Sequence, residues 1–518
     1  MHFACVAPER QCLFIINCAI IEQLLQGGMM KQLVVAGFFL LLLTSPLSAL
    51  DVDTYRSSQK QFNTEDKAEQ GDAQAQFELG LKYEKGDGVN KDLKKAIYWY
   101  QKAADQGQAE AQNNLGVLYL KGEGVPQNSQ QAMHWFKKAS EQGLAIGQNN
   151  IGILYENGLG VKKDLGQAFI WYQKAAEGGN SDGQYNLAVM YMYGNGIPKD
   201  IKKAIHWYIK AAEQGDLDAQ NNLGVLYERG EEVPRDLKAA ISWYTRAANE
   251  GSLIAQTNLG VLYMTGDPSI QDGKKAIYWY EKAAAQGGEK AQNNLGYIYE
   301  QGIGTEKDMK KAIYWYEKAA ENGFTLAQNN LGVLYSNDGD LQDYKKAYLW
   351  FKKAADQGFA EAQNNLGLMY MKGNGLSVNY HEAVLWYKRA AEQGLPLAQH
   401  NLAIMYMKGL GIKKDNKLAI KWYQKAAEKG LDLAQNNLAV MYIRGEGVKR
   451  DFKKAMYWYQ KAAEQGLDLA QINLGIMYLD GMGVNKDFAK AKYWIGKAKD
   501  SGSQDAMTIW NKNKLWKY

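Results

Sequence analysis

The sequence predicts an all-α fold, an α/α solenoid of about twelve helix-turn-helix repeats. The main observation is a run of tryptophans at constant spacing through most of the 518 residues. Each gap is 36 residues except the gap between Trp315 and Trp350, which is 35. A fixed period of this length is typical of repeat architectures. The tryptophans are Trp99, Trp135, Trp171, Trp207, Trp243, Trp279, Trp315, Trp350, Trp386, Trp422, Trp458 and Trp494.

Composition and charge exclude several other classes of protein. The chain is 46% hydrophobic and 12% aromatic and has only 7 prolines, which excludes intrinsic disorder and a collagen-like fibre. The net charge of +5 is spread along the chain, without the concentrated basic patch of a nucleic-acid surface. We therefore expect no nucleic-acid partner. Because no run of about 20 apolar residues occurs, we also expect no membrane span in the mature chain.

The N-terminal residues predict export. Lys31 precedes an apolar run at residues 33–43, and the short polar stretch after that run ends at Ala49. This order is that of a secretory signal peptide, and an uncleaved membrane anchor is the alternative. The protein would then be periplasmic or secreted. The predicted segments are an overextended start that is not part of the protein (1–29), a signal peptide (30–49), an N-terminal leader or cap (50–71), twelve repeats (72–502) and a C-terminal capping helix (503–518).

All three cysteines lie upstream of the predicted signal peptide, at Cys5, Cys12 and Cys18. Since we expect these residues not to belong to the mature protein, its chain would contain no cysteine. Disulfides, zinc-thiolate sites and thiol nucleophiles are then excluded together.

Each repeat has the pattern of two helices. In the second repeat residues 109–119 form the predicted helix A, which Gly122 and Gly124 end by supplying a positive φ. Helix B carries apolar residues from Ala132 to Ala139 at the three- and four-residue spacing of one buried face. Asp and Asn are strong N-caps, and one of them precedes helix B in every repeat. These residues are Asp92, Asn128, Asp164, Asp200, Asp236, Asp272, Asp308, Asp343, Asn379, Asp415, Asp451 and Asp487.

The repeat resembles a known family. The pattern A-x-A-Q-N-N-L-G-V-L-Y-x-x-G-x-G-V, followed by a helix with A-x-x-W-Y-x-K-A-A-x-x-G, is similar to the Sel1-like repeat, a relative of the tetratricopeptide repeat. The match covers residues 72–502, with Glu232 and Pro268 in place of the second loop glycine. The resemblance implies a right-handed superhelix of antiparallel helix pairs. It also implies a protein-interaction scaffold, of the kind found in bacterial envelopes, among secreted factors that meet host proteins, or in regulatory complexes.

One face of helix A predicts a concave binding groove. This face holds the positions of Asn113, Val117 and Leu120, which stack into columns along the solenoid. The resemblance supports the placement, because the first helix of tetratricopeptide pairs lines a groove for extended peptides. Two interpretations of the amides stay open: they bind the backbone of a ligand, or they bond to neighbouring helices and fix the repeat spacing. The groove amides are Asn113, Asn149, Asn221, Asn293, Asn329, Asn364 and Asn436, with His400 once in their place.

The Leu120 position changes character along the chain. Repeats 1, 3, 5 and 7 have a glutamate there, at Glu84, Glu156, Glu228 and Glu300. Repeats 9 to 12 have apolar residues at this position and at the Val117 position, which we name the apolar strip. A contiguous apolar surface marks an interaction site, and burial between repeats is the alternative. The apolar strip comprises Leu368, Met371, Ile404, Met407, Val440, Ile443, Ile476 and Leu479.

No constellation of residues indicates catalysis. His134 and His206 share a helix-B position but lie two repeats apart, roughly 20 Å, too far to share a metal. Ser57 and Lys60 have the serine–lysine spacing of β-lactam-interacting enzymes, but they precede the first repeat, so we interpret the match as chance. We predict a non-catalytic scaffold without cofactor or metal, whose partner is an unidentified exported or host protein. A β-lactam-interacting enzyme and a passive envelope spacer are the alternatives, and the oligomeric state stays open.

Overall fold

The fold is helical, without strands, in the part of the chain that the structure describes. The structure is a computed structural model and describes residues 64–337, 339 and 341–518. The chain divides into two compact units, Met1–Gln127 and Asn128–Tyr518. The predicted signal peptide, the three cysteines and the serine–lysine motif lie outside the described residues.

The first unit has a helical segment at residues 64–69 and three longer helices. These helices are α1 (Ala73–Lys85), α2 (Leu93–Asp105) and α3 (Ala109–Lys121). The second unit continues with helices of the same length. They are α4 (Ser129–Glu141), α5 (Ala145–Asn157), α6 (Leu165–Glu177), α7 (Ser181–Tyr193), α8 (Ile201–Glu213), α9 (Leu217–Arg229), α10 (Leu237–Asn249), α11 (Leu253–Thr265), α12 (Gly273–Ala285), α13 (Glu289–Gln301), α14 (Met309–Glu321), α15 (Thr325–Ser336), α16 (Tyr344–Asp356), α17 (Ala360–Lys372), α18 (Tyr380–Glu392), α19 (Pro396–Lys408), α20 (Asn416–Glu428), α21 (Asp432–Arg444), α22 (Phe452–Glu464), α23 (Asp468–Asp480), α24 (Phe488–Asp500) and α25 (Gln504–Lys512).

The helices form twelve pairs, and this confirms the predicted α/α solenoid. In each repeat helix A has the odd label and helix B the even label. The short repeat differs only at the end of its helix A, because α15 has 12 residues where its equivalents have 13. The missing residue therefore shortens a helix end and leaves the packed faces of the repeat in register.

The predicted N-caps of helix B are confirmed in all twelve repeats. At α2, Asp92 Oδ1 accepts hydrogen bonds from the backbone N–H groups of Lys94 and Lys95, each at 3.0 Å. Such a cap satisfies donors that have no partner inside the helix and contributes about 1 kcal/mol. The start of every helix B is thus set by local chemistry.

The centre of each repeat is a large side chain of helix B, aromatic in repeats 1 to 11 and Ile495 in repeat 12, packed on a small residue of helix A. Tyr172 is 1% exposed, and a Cβ atom built on Gly152 would lie 2.6 Å from its ring. The preceding residue, Trp171, is only half-buried, with Lys174 Nζ 4.3 Å from its ring centroid. The residue after the periodic tryptophan therefore fills the core, and the tryptophan itself is buried in three repeats, at Trp135, Trp279 and Trp386. The core position holds Tyr100, Phe136, Tyr172, Tyr208, Tyr244, Tyr280, Tyr316, Phe351, Tyr387, Tyr423, Tyr459 and Ile495.

A glutamine of helix A joins successive repeats. Gln184 Nε2 donates to the backbone oxygen of Ala176 at 3.2 Å, at the end of the preceding helix B. Gln214 Nε2, at the end of the next helix B, donates to Gln184 Oε1 at 2.7 Å. One buried amide thus ties three helices together, which keeps adjacent repeats at a fixed spacing.

The C-terminal residues extend the array by one further helix. Ala506 of α25 and Leu515 beyond it are fully buried, in one apolar cluster with Ile472 and Leu479 of repeat 12. Residues 503–518 thus contact the end of the repeats, and the capping function assigned to them stays a prediction.

Candidate binding surface

The amides of the Asn113 position are buried. Asn149 is 2% exposed, and its Oδ1 accepts a hydrogen bond at 3.0 Å from Asn186 Nδ2 in the next repeat. We name this row of inter-repeat bonds the amide ladder. Its donor and acceptor pairs are Asn186–Asn149, Asn258–Asn221, Asn330–Asn293, Asn365–Asn329, Asn401–Asn364 and Asn473–Asn436. Of the two interpretations of these amides, the contacts favour the one in which they fix the repeat spacing.

Two further predicted groove residues, in the first unit, are also buried. Asn113 is 4% exposed and Val117 is 7% exposed. The structure therefore places the Asn113 side chain within the helical array, as it does the ladder amides of the second unit. The amide column offers little surface to a ligand.

The glutamates at the Leu120 position bind the core tyrosines of their own repeats. Tyr172 Oη donates to Glu156 Oε2 at 2.6 Å, and Tyr316 Oη donates to Glu300 Oε2 at 2.8 Å. Tyr244 and Tyr100 donate to Glu228 and Glu84 in the same way. Burial, and then the charge of Glu156, raise the pKa of Tyr172 well above its ordinary value, so this hydroxyl stays a donor.

This glutamate–tyrosine pair was missed by the sequence analysis, although the sequence contains a signal for it. Each of the four glutamates occurs in a repeat whose core residue is tyrosine. Where the core residue lacks a hydroxyl, at Phe136, Phe351 and Ile495, the Leu120 position holds Leu120, Ser336 and Leu479. Glutamate thus occurs at this position only where a core tyrosine follows 16 residues later. The Leu120 position is therefore the site from which helix A reaches the core hydroxyl.

The apolar strip is half-buried through most of its length, and most of its members also pack against the buried core. Leu479 is the exception, since it is 8% exposed and belongs to the cluster that contains Leu515. Ile476 also packs against this cluster. The other members are half-buried, and they are Leu368, Met371, Ile404, Met407, Val440 and Ile443. The predicted strip is thus partly open in repeats 9 to 11 and covered at repeat 12.

Three exposed leucines widen this apolar surface. Leu397, Leu433 and Leu469 are 43%, 40% and 53% exposed, at the second residue of helix A in repeats 10, 11 and 12. Leu397 and Leu433 lie two helical turns before Ile404 and Val440, on the same face of their helices. The sequence analysis missed these leucines. Their signal is the change from Glu110 at this position in repeat 2 to leucine in three successive repeats.

A cavity of about 210 Å³ lies between repeats 10 and 11. Its lining includes members of the apolar strip and the core tyrosine of repeat 10. Two exposed cations also line it. These lining residues are Ile404, Met407, Val440, Met441, Tyr423, Asn437, Lys408, Arg444 and Glu446.

Two buried rings, Tyr423 and His400, lie 5.4 Å apart in repeat 10. The side chain of Asn437 hydrogen-bonds with the Tyr423 hydroxyl, and His400 Nδ1 has no hydrogen-bond partner among the described residues. Burial lowers the pKa of His400 to about 4, against the opposing effect of Asp432, so the ring is neutral at pH 7. The structure thus brings together predicted groove residues His400, Ile404 and Met407 at a junction where the amide ladder is interrupted.

Neither a metal site nor a membrane-spanning helix is found in the described residues. Within the described ranges, no group of three or more His, Cys, Asp or Glu side chains is placed to hold a metal ion. None of the helices in those ranges has the length and apolarity needed to cross a membrane.

Comparison with known proteins gives the family of the repeat. The model described as Sel1 repeat matches twelve consecutive segments, from 73–108 to 468–503. The chain is 37% identical to c5321 of uropathogenic Escherichia coli, a protective antigen displaying an SLR fold; the alignment covers 88% of this chain and 90% of that chain, with a TM-score of 0.66. A Sel1 repeat protein from Oxalobacter formigenes is 34% identical over 63% of this chain and 92% of its own, with a TM-score of 0.48. No curated protein matches the chain.

Proposed function

The chain belongs to the Sel1 repeat family, and we propose that it is an exported, non-catalytic scaffold that binds a segment of another protein along repeats 9 to 11. A protein-interaction scaffold is the role that the repeat family suggests. The observation that supports this placement is the apolar surface formed by the half-buried strip and the exposed Leu397 and Leu433. A contiguous apolar surface usually marks an interaction site.

The size of this surface suits a short segment of a partner. Neighbouring packed helices lie about 10 Å apart, so three repeats present a face of roughly 20–30 Å. A polyproline II segment of about 7–10 residues spans that distance at about 3.1 Å per residue, with three residues per turn. Side chains at every third residue would then meet successive repeats, which is the geometry of peptide recognition in a groove.

Export is the second part of the proposal. It rests on the predicted signal peptide at residues 30–49. The related c5321 is a protective antigen, and we propose by analogy that this chain likewise meets a host. The partner would be another exported protein or a host protein.

Site-specific photo-crosslinking in cells that produce the protein tests this function. A benzoylphenylalanine in place of Leu433 is expected to form an adduct with one partner, recovered in the exported fraction. The matched control carries the same group in place of Glu110, which is exposed at the equivalent position of helix A in repeat 2. Adducts of equal yield from both positions would contradict the placement, and no adduct from Leu433 would contradict the function.

A further inference from the structure

Residues 486–518, which we name the terminal segment, carry an unbalanced charge. They include eight lysines, three aspartates and neither arginine nor glutamate. Their side-chain charge of +5 equals the net charge of the whole chain, so residues 1–485 are balanced. This corrects the expectation that the charge is spread along the chain. The positive field of the protein is concentrated beyond the core of repeat 12.

The last residues of the terminal segment form a turn that buries one side chain and leaves its neighbours outside. Lys514 follows the end of α25 with a φ of 51°, and it is the only residue other than glycine with a positive φ in the described ranges. Leu515 is then fully buried in the apolar cluster of repeat 12. Trp516 and Tyr518 are 52% and 56% exposed. Because Leu515 holds the turn against the repeat, the two aromatic side chains lie on its outer side.

A third exposed aromatic residue packs with them. Phe488, at the start of α24, is 38% exposed, and its ring stacks on Tyr518 with the centroids 4.6 Å apart. We name Phe488, Trp516 and Tyr518 the aromatic patch. The segments that close a repeat array ordinarily have a polar outer face. Since this one exposes three aromatic rings, we expect the patch to be covered by another surface.

The aromatic patch differs from the exposed tyrosines of helix B. Tyr314 is 51% exposed, but its ring has the Nζ atom of Lys318 at 5.8 Å from the centroid. Tyr278, Tyr457 and Tyr493 have a lysine in the same place. Within the described chain, no lysine or arginine lies over the ring of Trp516 or Tyr518. The helix-B tyrosines thus have a cation partner in their own repeat, and the aromatic patch does not.

The cations beside the aromatic patch are available to an external anion. Lys490 pairs with Asp487 at 3.5 Å, and Lys499 pairs with Asp500. Three other lysines lie within two residues of a patch residue, are exposed, and form no ion pair among the described residues. Lysine is a compact charge without the planar fork that arginine offers to a single phosphate. A row of lysines therefore suits a layer of anionic groups. The three are Lys486, Lys514 and Lys517.

We propose that the aromatic patch and these three lysines dock the protein on an anionic lipid surface. Tryptophan and tyrosine rings, with an apolar body and a polar edge, are favoured at the boundary between headgroups and hydrocarbon. Each nearby lysine adds attraction to anionic headgroups. Apolar contact and charge act together, because either signal alone gives weak, reversible binding. The inference goes beyond the proposed function, since it leaves the strip in repeats 9 to 11 free for a partner protein.

The first experiment detects lipid contact at one position. An aromatic, environment-sensitive fluorescent amino acid replaces Trp516 in the full-length protein. We expect its emission to shift to shorter wavelength with vesicles of phosphatidylcholine and phosphatidylglycerol at about two to one, and not with phosphatidylcholine alone. The matched control has the same amino acid in place of Tyr314, which is equally exposed. Because the probe reports its own surroundings, the apolar run at residues 33–43 does not produce the difference. Equal shifts at both positions, or none at Trp516, would overturn the proposal.

The second experiment tests the charge. Replacing Lys486, Lys514 and Lys517 together by glutamine should raise the lipid concentration needed for half of the shift at least tenfold, at about 0.1 M salt. The control triple removes the same charge from exposed lysines at the second residue of helix B in repeats 5, 6 and 7, and it should bind as the parent does. Equal weakening by both triples would mean that only the total charge acts, and would overturn the patch. The control substitutions are Lys238→Gln, Lys274→Gln and Lys310→Gln.

The third experiment separates lipid from other occupants. Trp516→Ser combined with Tyr518→Ser should lower vesicle sedimentation at least tenfold, with a thermal unfolding curve like that of the parent. If this variant unfolds early, the lysine triple still decides the proposal. A single-stranded oligonucleotide also combines charge with rings that stack on aromatic residues. Binding of the oligonucleotide as tightly as the vesicles would overturn the lipid assignment. The crosslink from Leu433 should persist in the lysine triple, so loss of vesicle binding leaves the proposed function intact.

Discussion

Replacing Gly152 by alanine tests the relation between the core tyrosine and the glutamate of helix A. The added Cβ would lie 2.6 Å from the Cδ1 and Cε1 atoms of Tyr172, so the ring must move. Overpacking of this kind costs about 1–3 kcal/mol. A displaced ring also loses its hydrogen bond to the charged Glu156, at about 1.5–3 kcal/mol. Since alanine returns about 1 kcal/mol in helix propensity, we expect a net loss of about 1.5–5 kcal/mol.

Natural repeats support the link between these positions. Ala188, Ala403 and Ala439 occupy the Gly152 position in repeats 4, 10 and 11. In these repeats the Leu120 position holds Met192, Met407 and Ile443, with no glutamate. Each glutamate at the Leu120 position thus occurs with a glycine at the Gly152 position. Glycine leaves room for the tyrosine ring, so the tyrosine hydroxyl reaches the glutamate.

The measurement is hydrogen–deuterium exchange of the backbone amides of repeat 3, which reports local unfolding free energies in a repeat array. The matched control is Gly332→Ala, because its Cβ would lie 2.5 Å from Phe351, which has no hydroxyl to lose. We expect the control to lose about 2 kcal/mol less. Adding Glu156→Met to Gly152→Ala recreates the combination of repeat 10 and should recover part of the loss. Equal losses in Gly152→Ala and Gly332→Ala would refute the reasoning.

Four further predictions follow from the same structure. Trp279→Ala removes a side chain that is 7% exposed from a central repeat, so it should cost about 3–5 kcal/mol and split the thermal unfolding curve into two transitions. The pKa of His400 is lowered to about 4, so between pH 6.5 and 4 the unfolded chain binds more protons than the folded chain. The free energy of unfolding therefore decreases as the pH is lowered through that window. His400→Asn should therefore lose about 2 kcal/mol less than the wild type between pH 7 and pH 5 in urea titrations. Sequencing of the exported protein should give Leu50 as its first residue, and peptides containing Cys5 would contradict this start. Deletion of residues 503–518 should expose Leu479 and lower solubility, and a fully soluble product would argue against a capping role.

The sequence predicted the features that depend on neighbours along the chain. The 36-residue period places every helix pair, and the twelve Asp and Asn residues before helix B cap it through bonds to N–H groups two or three residues away. Such cap bonds depend only on residues that are close together in the sequence. The fold class followed from these local features with little need of tertiary information.

The role of the helix-A amides was harder to predict, because it depends on residues 36 or 37 positions away. A helical wheel places Asn149 on a face, but it does not show that Asn186 of the next repeat covers that face. The same reason explains why Leu479 belongs to the core: Leu515, from beyond the last repeat, packs in its cluster. Most strip residues of repeats 9 to 11 also pack partly against the core, and their role as a binding surface stays a prediction.

The amide ladder has a consequence for how such a protein changes over generations. Each rung joins the same two positions of adjacent repeats, so a gene segment encoding one whole repeat can be duplicated or lost and the new neighbours still bond correctly. The array can thus lengthen or shorten by recombination without the design of a new interface. His400 is an exception to this interchangeability, because its junction with Asn437 is unlike the rungs on either side. Duplication of repeat 10 would therefore copy this different junction as well, and the descendant would have two of them.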